Sequence, residues 1–325
     1  MKNKIEFLKF PIFIKWYITE LCNLRCKHCY LSEYKAHSNL KLILEFLNFF
    51  HQKGVIGYSL LGGEPLLRKD LEVIVAKICE YKQSVNISTN GILATKERAK
   101  SLINSGLKHF QVSLDSHKKE TNNFLRGENS FNKILAGINN LKNSGAYVKI
   151  GHTISKVNYR EVQNIIELAI DLNLDEIRFE VFVPTGIGAT NSSILKLESK
   201  ELDFAKNIIL ENKAKNKIKI TSPFKDYQTI NKCQNSCSTY GCGAGTTNMI
   251  INSNMSLAAC DLLFQKDATK PIQTVEQLEN LWLDDKLFKK WRGQVAPDTN
   301  EYGDFKTVNQ NQCYLSNLSY PNYLF

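Results

Sequence analysis

The sequence predicts an α/β protein whose main domain is an open, partial (β/α)6 TIM-like barrel. Short β-rich runs alternate with helical periods up to about residue 212, which predicts a parallel sheet with helices outside it. Six β/α units are too few to close an eight-stranded barrel. After residue 213 the alternation stops and cysteines return. We therefore expect a main domain over 10–212 and a small cysteine-rich domain over 213–325.

Each element is assigned from the period of its apolar residues. A period of two predicts a strand, and apolar residues three to four positions apart predict an amphipathic helix. The predicted strands are 12–19, 56–61, 84–89, 108–114, 147–154 and 176–183. The predicted helices are 38–53, 70–82, 96–105, 130–144, 159–172 and 199–212. Joined in this order, the strands form a parallel sheet with right-handed crossovers.

Local signals support several of these helix boundaries. Side chains that cap a first turn are predicted at Asn39, Asp70 and Thr95. Glycines that follow helix ends are predicted at Gly54, Gly106 and Gly145. A further helix-like segment covers 274–293 in the C-terminal part, and Cys79 falls in an apolar helical period, so we expect it in the core.

Unusual residues follow nearly every predicted strand. Three cysteines follow the first strand, GGEP (62–65) the second, TNG (89–91) the third, SLD (113–115) the fourth and VPTGIG (183–188) the sixth. The carboxyl ends of parallel strands share one edge of the sheet, where ligands and catalytic residues gather in such folds. The sequence therefore predicts a functional site at this edge.

Composition narrows the function classes. The formal net charge is +10, spread along the chain without a basic block interleaved with aromatic residues, so we expect no nucleic-acid partner. The N-terminal residues lack a secretory signal pattern, and no apolar run reaches the length of a membrane span. We expect a cytoplasmic protein with no membrane partner, whose nine cysteines are reduced and whose clustered thiols serve metal binding or catalysis.

The first cysteine cluster has the spacing Cys22-x3-Cys26-x2-Cys29. These positions lie on one helical face, so a buried stripe is one interpretation. A zinc site with His28 or a distant fourth ligand is another. Iron–sulfur clusters are also held by thiolates at such loop spacings, and three thiolates around four irons leave one iron open to a small molecule.

These residues resemble the radical S-adenosylmethionine (SAM) superfamily. Cys22-x3-Cys26-x2-Cys29 after the first strand, with His28 before the last cysteine, is similar to that family's cluster motif. The resemblance continues in order through LGGEPLLRKDL, ISTNG, VSLDS, NNFLRGENSF and the segment VKIGHTI…VPTGIGA, over about residues 10–190. It implies a SAM-binding [4Fe–4S] cluster on the three cysteines, with SAM on the open iron.

The resemblance also implies the contacts to SAM. Gly62 and Gly63 would let the backbone approach the methionine amino group, while Glu64 would accept from that ammonium or fix the turn. Arg126 would offer its planar guanidinium to the methionine carboxylate. The other expected cofactor-binding residues are Asn90, Ser113 and Val183. Reduction of SAM would release methionine and a 5′-deoxyadenosyl radical, which abstracts a hydrogen atom from the substrate.

The second cysteine set lies in 233–313. The spacing Cys237-x4-Cys242-x17-Cys260, with Cys313 downstream, resembles the auxiliary-cluster domains named SPASM and twitch. Met255 stands where that pattern has a glycine turn, and no dense cysteine cassette follows residue 293. We expect one auxiliary [4Fe–4S] cluster on these four cysteines, with structural zinc as the alternative.

Two catalytic candidates lie in this second half. Cys233 is expected to be the cysteine left over, although Cys313 is an alternative, and a spare thiol would donate a hydrogen atom to a substrate radical or be an inert core residue. Asp261 matches a proton-accepting aspartate of the related sulfatase-maturing enzymes, and a solvated turn carboxylate is the alternative.

The resemblance implies an enzyme that modifies a peptide or protein by epimerisation, crosslinking or oxidation. A dehydrogenase of the twitch type, acting on a small metabolite, is the alternative, and a non-catalytic SAM-binding metal module is a third. The first cluster cysteine is residue 22, so we expect leader binding to fall to a separate protein or to the barrel itself. We expect a flavodoxin- or ferredoxin-type reductant to supply the electron.

Overall fold

The computed structural model describes residues 8–34, 38–215, 217–224, 243–263 and 265–292. The strands within these ranges are β1 (Phe13–Thr19), β2 (Gly57–Gly62), β3 (Ser84–Thr89), β4 (His109–Ser113), β5 (Tyr147–Ile154), β6 (Glu176–Val181), β7 (Lys219–Thr221), β8 (Asn248–Ile251) and β9 (Leu257–Ala258). They form one sheet in the order β7-β6-β5-β4-β3-β2-β1-β8-β9. Every neighbouring pair is parallel except β8 and β9, which are antiparallel. This sheet confirms the predicted TIM-like α/β fold.

Helices connect the parallel strands. They are α1 (Leu40–Gln52), α2 (Leu71–Glu80), α3 (Lys96–Asn104), α4 (Lys119–Arg126), α5 (Ser130–Asn143), α6 (Val162–Asp171), α7 (Gly186–Thr190), α8 (Ser192–Leu195), α9 (Ser199–Lys215), α10 (Glu276–Asp284) and α11 (Lys286–Trp291). Short 3-10 turns cover Pro65–Leu67 and Tyr159–Glu161. None of the helices in the described ranges combines the length and the apolar character needed to cross a bilayer.

The six predicted strands and the six helices predicted between and after them are confirmed, with small shifts at their ends. The prediction missed α4, because KETNNFLR is short and mostly polar and gives no apolar period. It also missed the short helices α7 and α8. The segment 274–293 was predicted as one helix and is two, because Asp285 is extended and its side chain caps α11 by accepting from the Leu287 amide at 2.8 Å.

Two of the three predicted helix caps are confirmed. The Asn39 side chain accepts from the amide of Lys41 at 2.9 Å, and Thr95 accepts from the amide of Arg98 at 3.2 Å. Asp70 precedes α2 but makes no capping hydrogen bond. Its carboxylate instead binds the guanidinium of Arg68, with nitrogen and oxygen 2.8 Å apart. The Asp70 carboxylate is therefore engaged in an ion pair with Arg68 and does not cap α2.

The two faces of the sheet differ in character. Alternate residues of each strand, such as Ile14 and Trp16 of β1 or Phe110 and Val112 of β4, are buried against the helices and form the core. The residues between them line a cavity on the opposite, concave face. Cys79 packs against the core as predicted. The alternation arises because successive side chains of a strand point to opposite faces.

Strands from beyond residue 212 lie at both edges of the sheet. β7 pairs with β6 at one edge, and β8 pairs with β1 at the other. The same register brings Ile251, at the end of β8, opposite Trp16 of β1. As a result, the segment that follows β8 and β9 lies beside the mouth of the barrel. The domain division at 212/213 stays a prediction.

Candidate active site

Three cysteines lie in the loop that follows β1, at the carboxyl edge of the sheet. Cys22, Cys26 and Cys29 all line the same cavity, which has a volume of about 570 Å³. Hydrogen bonds from two later helices hold the loop. The amide of Lys27 donates to the Leu125 carbonyl at 2.8 Å, and the amide of Gly188 donates to the Cys29 carbonyl at 2.8 Å. Residues far along the chain therefore fix the position of the three thiols.

The short helix α7 packs tightly on this loop. The amide of Ile187 donates to the Leu31 carbonyl at 3.0 Å. Gly186 has a φ of +54°, and a Cβ at this position would overlap the carbonyl of Tyr30. Only glycine allows both this backbone conformation and this approach. The GIG of VPTGIG thus serves to hold the cysteine loop, which the sequence did not indicate.

The glycine-rich turn after β2 lies against the same loop. The amide of Gly63 donates to the Thr19 carbonyl at 2.8 Å, and that of Glu64 donates to the Leu21 carbonyl at 2.8 Å. A Cβ on Gly62 would overlap the Thr19 carbonyl, and one on Gly63 would overlap the Leu21 carbonyl. Both glycines also line the cavity. Both positions need glycine because the backbone of this turn packs closely against the backbone of the cysteine loop.

Glu64 is fully buried beside this turn and fixes it. One carboxylate oxygen accepts from the Leu66 amide at 2.9 Å and from the Thr89 hydroxyl at 2.7 Å, and the other accepts from the Asn90 amide at 2.7 Å. Burial raises the pKa of Glu64, although these hydrogen bonds oppose the rise. Of the two roles expected for Glu64, these contacts support fixing the turn. They also join the ends of β2 and β3.

Asn90 lies at the carboxyl end of β3, next to the first cysteine. Its side-chain amide donates to the Asn23 side chain at 2.7 Å, and the amide nitrogen is 4.0 Å from the Cys22 sulfur. Ser113 and Val183, the other expected SAM contacts, line the same cavity from the ends of β4 and β6. All of the expected SAM-binding residues except Glu64 therefore line the same cavity.

Arg126 is the last residue of α4 and lines the cavity, and most of its side chain is buried. Its Nε lies 2.7 Å from Oδ2 of Asp115, a residue with no exposed surface. Nε2 of His28 lies 3.3 Å from the same oxygen. Burial alone would raise the pKa of Asp115, but Arg126 and His28 outweigh it and lower the pKa. A buried carboxylate therefore holds both the arginine and the cysteine loop.

Asp115 has further partners that fix its own position. Its second oxygen accepts from the Thr153 amide at 2.8 Å, and its backbone carbonyl accepts from the Asn158 side chain at 2.8 Å. The SLD motif contains this residue, but the sequence indicated no role for it. Arg126 reaches Asp115 from α4, a helix that was not predicted.

The chemistry of these donors fits an iron–sulfur cluster. Burial raises the pKa of Cys22, and it raises the pKa of Cys26 to about 12, so bound metal is what would hold these thiols as thiolates. His28 is directed to Asp115, and burial lowers its pKa to about 4. This engagement disfavours His28 as the fourth ligand of a zinc ion. In the described ranges no three His, Cys, Asp or Glu side chains form a single-ion site.

Cys260 and Asp261 follow β9 and line the same cavity as the first three cysteines. The Asp261 carboxylate forms an ion pair with Lys15 and accepts from the Tyr17 hydroxyl at 3.3 Å. Met255 has a φ of +68°, so it occupies the turn conformation that favours glycine, as the sequence comparison indicated. The other cysteines of the second set, which lie outside the described residues, are Cys233, Cys237, Cys242 and Cys313.

Comparison with known proteins identifies one domain of this chain. Residues 16–169 match the sequence profile of the Radical SAM superfamily. These residues are a radical SAM domain. The match covers the cysteine loop, the glycine-rich turn and Arg126. The radical SAM family uses a [4Fe–4S] cluster together with SAM, so these are the cofactors of the domain.

Curated relatives share part of their length with this chain. The Fe-coproporphyrin III synthase of Methanosarcina barkeri is 34% identical over 218 residues, which cover 64% of this chain and 52% of the relative. The GTP 3′,8-cyclase of Nautilia profundicola is 32% identical over 166 residues, 48% of this chain and 52% of the relative. The chain thus spans about half the length of the curated relatives it matches.

Solved structures share the fold of this chain. SuiB of Streptococcus suis, bound to its precursor peptide SuiA, superposes with a TM-score of 0.72 at 21% identity, covering 90% of this chain and 69% of SuiB. Native anSMEcpe with bound AdoMet superposes with a TM-score of 0.68 at 17% identity, covering 87% of this chain and 84% of that one. These likenesses establish the fold.

Proposed function

We propose that this protein is a radical SAM enzyme that abstracts a hydrogen atom from a peptide or protein substrate. One observation carries the proposal. A single cavity of about 570 Å³ is lined by three clustered thiols, by the glycine-rich turn and Arg126, and by Asp261. Cofactor-binding groups and a titratable group thus face one space in which a substrate would meet both.

Different residues of the chain would bind the cluster and SAM. Cys22, Cys26 and Cys29 would ligate the cluster, and Arg126 would bind the SAM carboxylate through a guanidinium that Asp115 keeps in place. When bound, the reduced cluster supplies the electron that cleaves SAM to methionine and a 5′-deoxyadenosyl radical.

Asp261 is our proposed proton acceptor after hydrogen abstraction. Its carboxylate lies in the cavity, where the neighbouring Lys15 ammonium and Tyr17 hydroxyl orient it. The position of Asp261 in the cavity supports this role, because a general base must stand within reach of the proton that it removes. Cys233 stays our proposed hydrogen-atom donor.

We further propose one auxiliary [4Fe–4S] cluster in a SPASM/twitch-like domain. Its ligands would be Cys237, Cys242, Cys260 and Cys313. The support is that Cys260 lies at the cavity wall next to Asp261, within the segment that follows β8 and β9. A thiol at this position would bring such a cluster close to the substrate space.

A peptide or protein substrate is favoured by the likeness of fold to SuiB, which was solved with its precursor peptide. We propose a ribosomally made peptide, modified by epimerisation, crosslinking or oxidation. A separate leader-binding protein and a flavodoxin- or ferredoxin-type reductant are the proposed partners. The second candidate is a small metabolite, because the curated relatives include a GTP 3′,8-cyclase and an Fe-coproporphyrin III synthase.

The test of this proposal is anaerobic reconstitution followed by incubation with SAM and dithionite. We expect about eight irons per chain if both clusters form, and release of 5′-deoxyadenosine. Iron-loaded protein that never releases 5′-deoxyadenosine would support only the SAM-binding module. Adding peptides encoded by short reading frames beside the gene, and separately neighbouring metabolites, identifies the substrate class by the new product mass.

A further inference from the structure

The concave face of the sheet is polar, which is unusual for a barrel interior. Inward positions of parallel barrels are mostly filled by bulky branched apolar residues. Here the inward side chains on most of the strands are polar or charged. Polar residues that line the cavity from within the sheet include Lys15, Ser59, Asn86, Gln111, Lys149 and Arg178. Such a lining is suited to a polar ligand that enters the barrel.

Three cations stand among these residues. Lys15 forms an ion pair with Asp261, and Arg178 forms one with Glu180. The side-chain ammonium of Lys149 has neither a hydrogen bond nor an ion pair with any residue in the described part of the chain. It is half-buried, and burial lowers its pKa, with Arg178 and Lys219 adding repulsion against the attraction of Glu176 and Glu180. A half-buried ammonium of this kind has its hydrogen-bond donors open to a ligand.

The backbone register places Lys149 and Arg178 near each other. β5 and β6 are neighbours, with Lys149 opposite Glu176 and Gly151 opposite Arg178. Gly151 therefore carries no side chain to separate the two cations, and the Gln111 side chain packs over it from β4. The lysine ammonium, the guanidinium and the Gln111 amide can converge on one group. All three are hydrogen-bond donors.

This group of donors lies deep in the barrel. Lys149 and Arg178 are each the third residue of their strand, whereas the cysteines and the glycine-rich turn follow strand ends. At roughly 3.3 Å per residue, the five steps along the strand from Lys149 to Ile154 span about 16 Å. A substrate held at the floor would therefore extend toward the carboxyl edge, where the SAM-binding residues lie.

We propose that Lys149 and Arg178, assisted by Gln111, form a subsite at the barrel floor that binds an oxyanion of the substrate, either a carboxylate or a phosphate. The identification of the bound oxyanion as part of the substrate rests on the proposed function. A carboxylate would come from an acidic side chain or the C-terminus of a peptide, and a phosphate from a nucleotide-like metabolite. Lysine and arginine together serve either group through charge-assisted hydrogen bonds.

The test is isothermal titration calorimetry of the reconstituted protein with SAM. The probes are an acetylated and amidated pentapeptide with a central glutamate, the same peptide with glutamine, and inorganic pyrophosphate. We expect one anionic probe to bind at least tenfold more tightly than the glutamine peptide. Preference for the glutamate peptide identifies a carboxylate site, and preference for pyrophosphate identifies a phosphate site. If neither is preferred, the subsite is wrong.

Variants locate the binding. Lys149→Met and Arg178→Gln should each lower the affinity of the preferred probe at least tenfold, whereas Lys149→Arg should keep it. Lys100→Met, on the exposed face of α3, is the matched control. Unchanged affinity in both neutral variants would show an anion bound elsewhere and would overturn the proposal. SAM cleavage by wild-type protein tests the proposed function separately, since it requires no probe.

Discussion

The guanidinium Nε of Arg126 and the carboxylate Oδ2 of Asp115 lie 2.7 Å apart in the buried wall of the cavity. The same oxygen is 3.3 Å from His28, which stands between Cys26 and Cys29. One carboxylate therefore links the cysteine loop to the residue expected to bind SAM. Asp115 is a positioning residue for both.

Replacing Asp115 with asparagine should weaken SAM binding about 10–100-fold, because loss of an outer partner releases the group that contacts the ligand. The measurement is SAM affinity from the change in the cluster's paramagnetic signal. Iron content per chain is measured alongside, so that loss of cluster is not mistaken for loss of SAM. Wild-type affinity in an iron-loaded Asp115→Asn protein would contradict the positioning role.

Replacing Gly63 with alanine should displace the cysteine loop, because the new Cβ would overlap the carbonyl oxygens of Glu20 and Leu21. We expect a loss of about 2–4 kcal/mol in the free energy of unfolding and a lower iron content. Gly145→Ala is the matched control, since nothing lies within 4 Å of its Cβ and only its φ of +83° is unfavourable. Equal effects in the two variants would rule out the packing argument.

Met255 allows a test of backbone strain at a single turn. Its φ of +68° lies in the left-handed region, where a side chain costs about 1–2 kcal/mol. Both Met255→Ala and Met255→Gly lose the buried Met side chain, so the comparison between them isolates the backbone. We expect the glycine variant to be more stable than the alanine variant by about 1 kcal/mol in denaturant unfolding. The reverse order would mean that the turn relaxes.

Glu176 should make stability depend on pH in the acid range. Burial acts to raise its pKa, but hydrogen bonds from Thr221, Lys219 and Tyr147 lower it overall. A carboxyl with a lowered folded-state pKa stabilises the protein above its unfolded pKa, and this stabilisation is lost as the pH falls through the folded pKa.

Glu176→Gln should therefore cost about 1–2 kcal/mol near pH 7 and flatten the fall in stability between about pH 5 and pH 3. Urea unfolding at several pH values measures this. Glu198→Gln is a suitable control, because Glu198 is an exposed carboxyl paired with Lys156. An identical acid profile in wild type and Glu176→Gln would contradict the assignment.

The role of Asp261 is tested by the amount of product that forms for each SAM molecule cleaved. If it accepts the substrate proton, Asp261→Asn should lower product formed per 5′-deoxyadenosine released about 100-fold or more. Both compounds are measured in one reaction by mass spectrometry. Asp267→Asn, in the same segment but bound to Lys290 and Trp291, is the control. Normal coupling in Asp261→Asn would exclude an essential role.

The strands were the most predictable part of the fold. SVNIST (84–89) and YVKIGHTI (147–154) match β3 and β5 at both ends. Strands buried on both faces of a parallel sheet usually read as continuous apolar runs. Here one face packs on helices and the other lines a polar cavity, so the sequence alternates and the strand is visible.

The failure to predict helix α4 was the most important error in predicting the site. Its eight residues include Arg126, which was assigned from family resemblance alone. Without the helix, nothing in the sequence showed that Arg126 returns to the end of β4, where Asp115 lies. Short polar helices are stabilised by tertiary contacts rather than by a periodic apolar face, so local patterns do not reveal them.

The sequence by itself determined the order of the β/α units, the position of three cysteines after the first strand, and the gathering of motifs at one sheet edge. These follow from local periodicity and from the shared direction of parallel strands. The tertiary structure decided that β8 pairs with β1 and brings Asp261 to Lys15, and that Lys149 and Arg178, on the neighbouring strands β5 and β6, line one cavity. Such contacts join residues far apart in the chain, and their energy depends on register and burial, which leave no local signal.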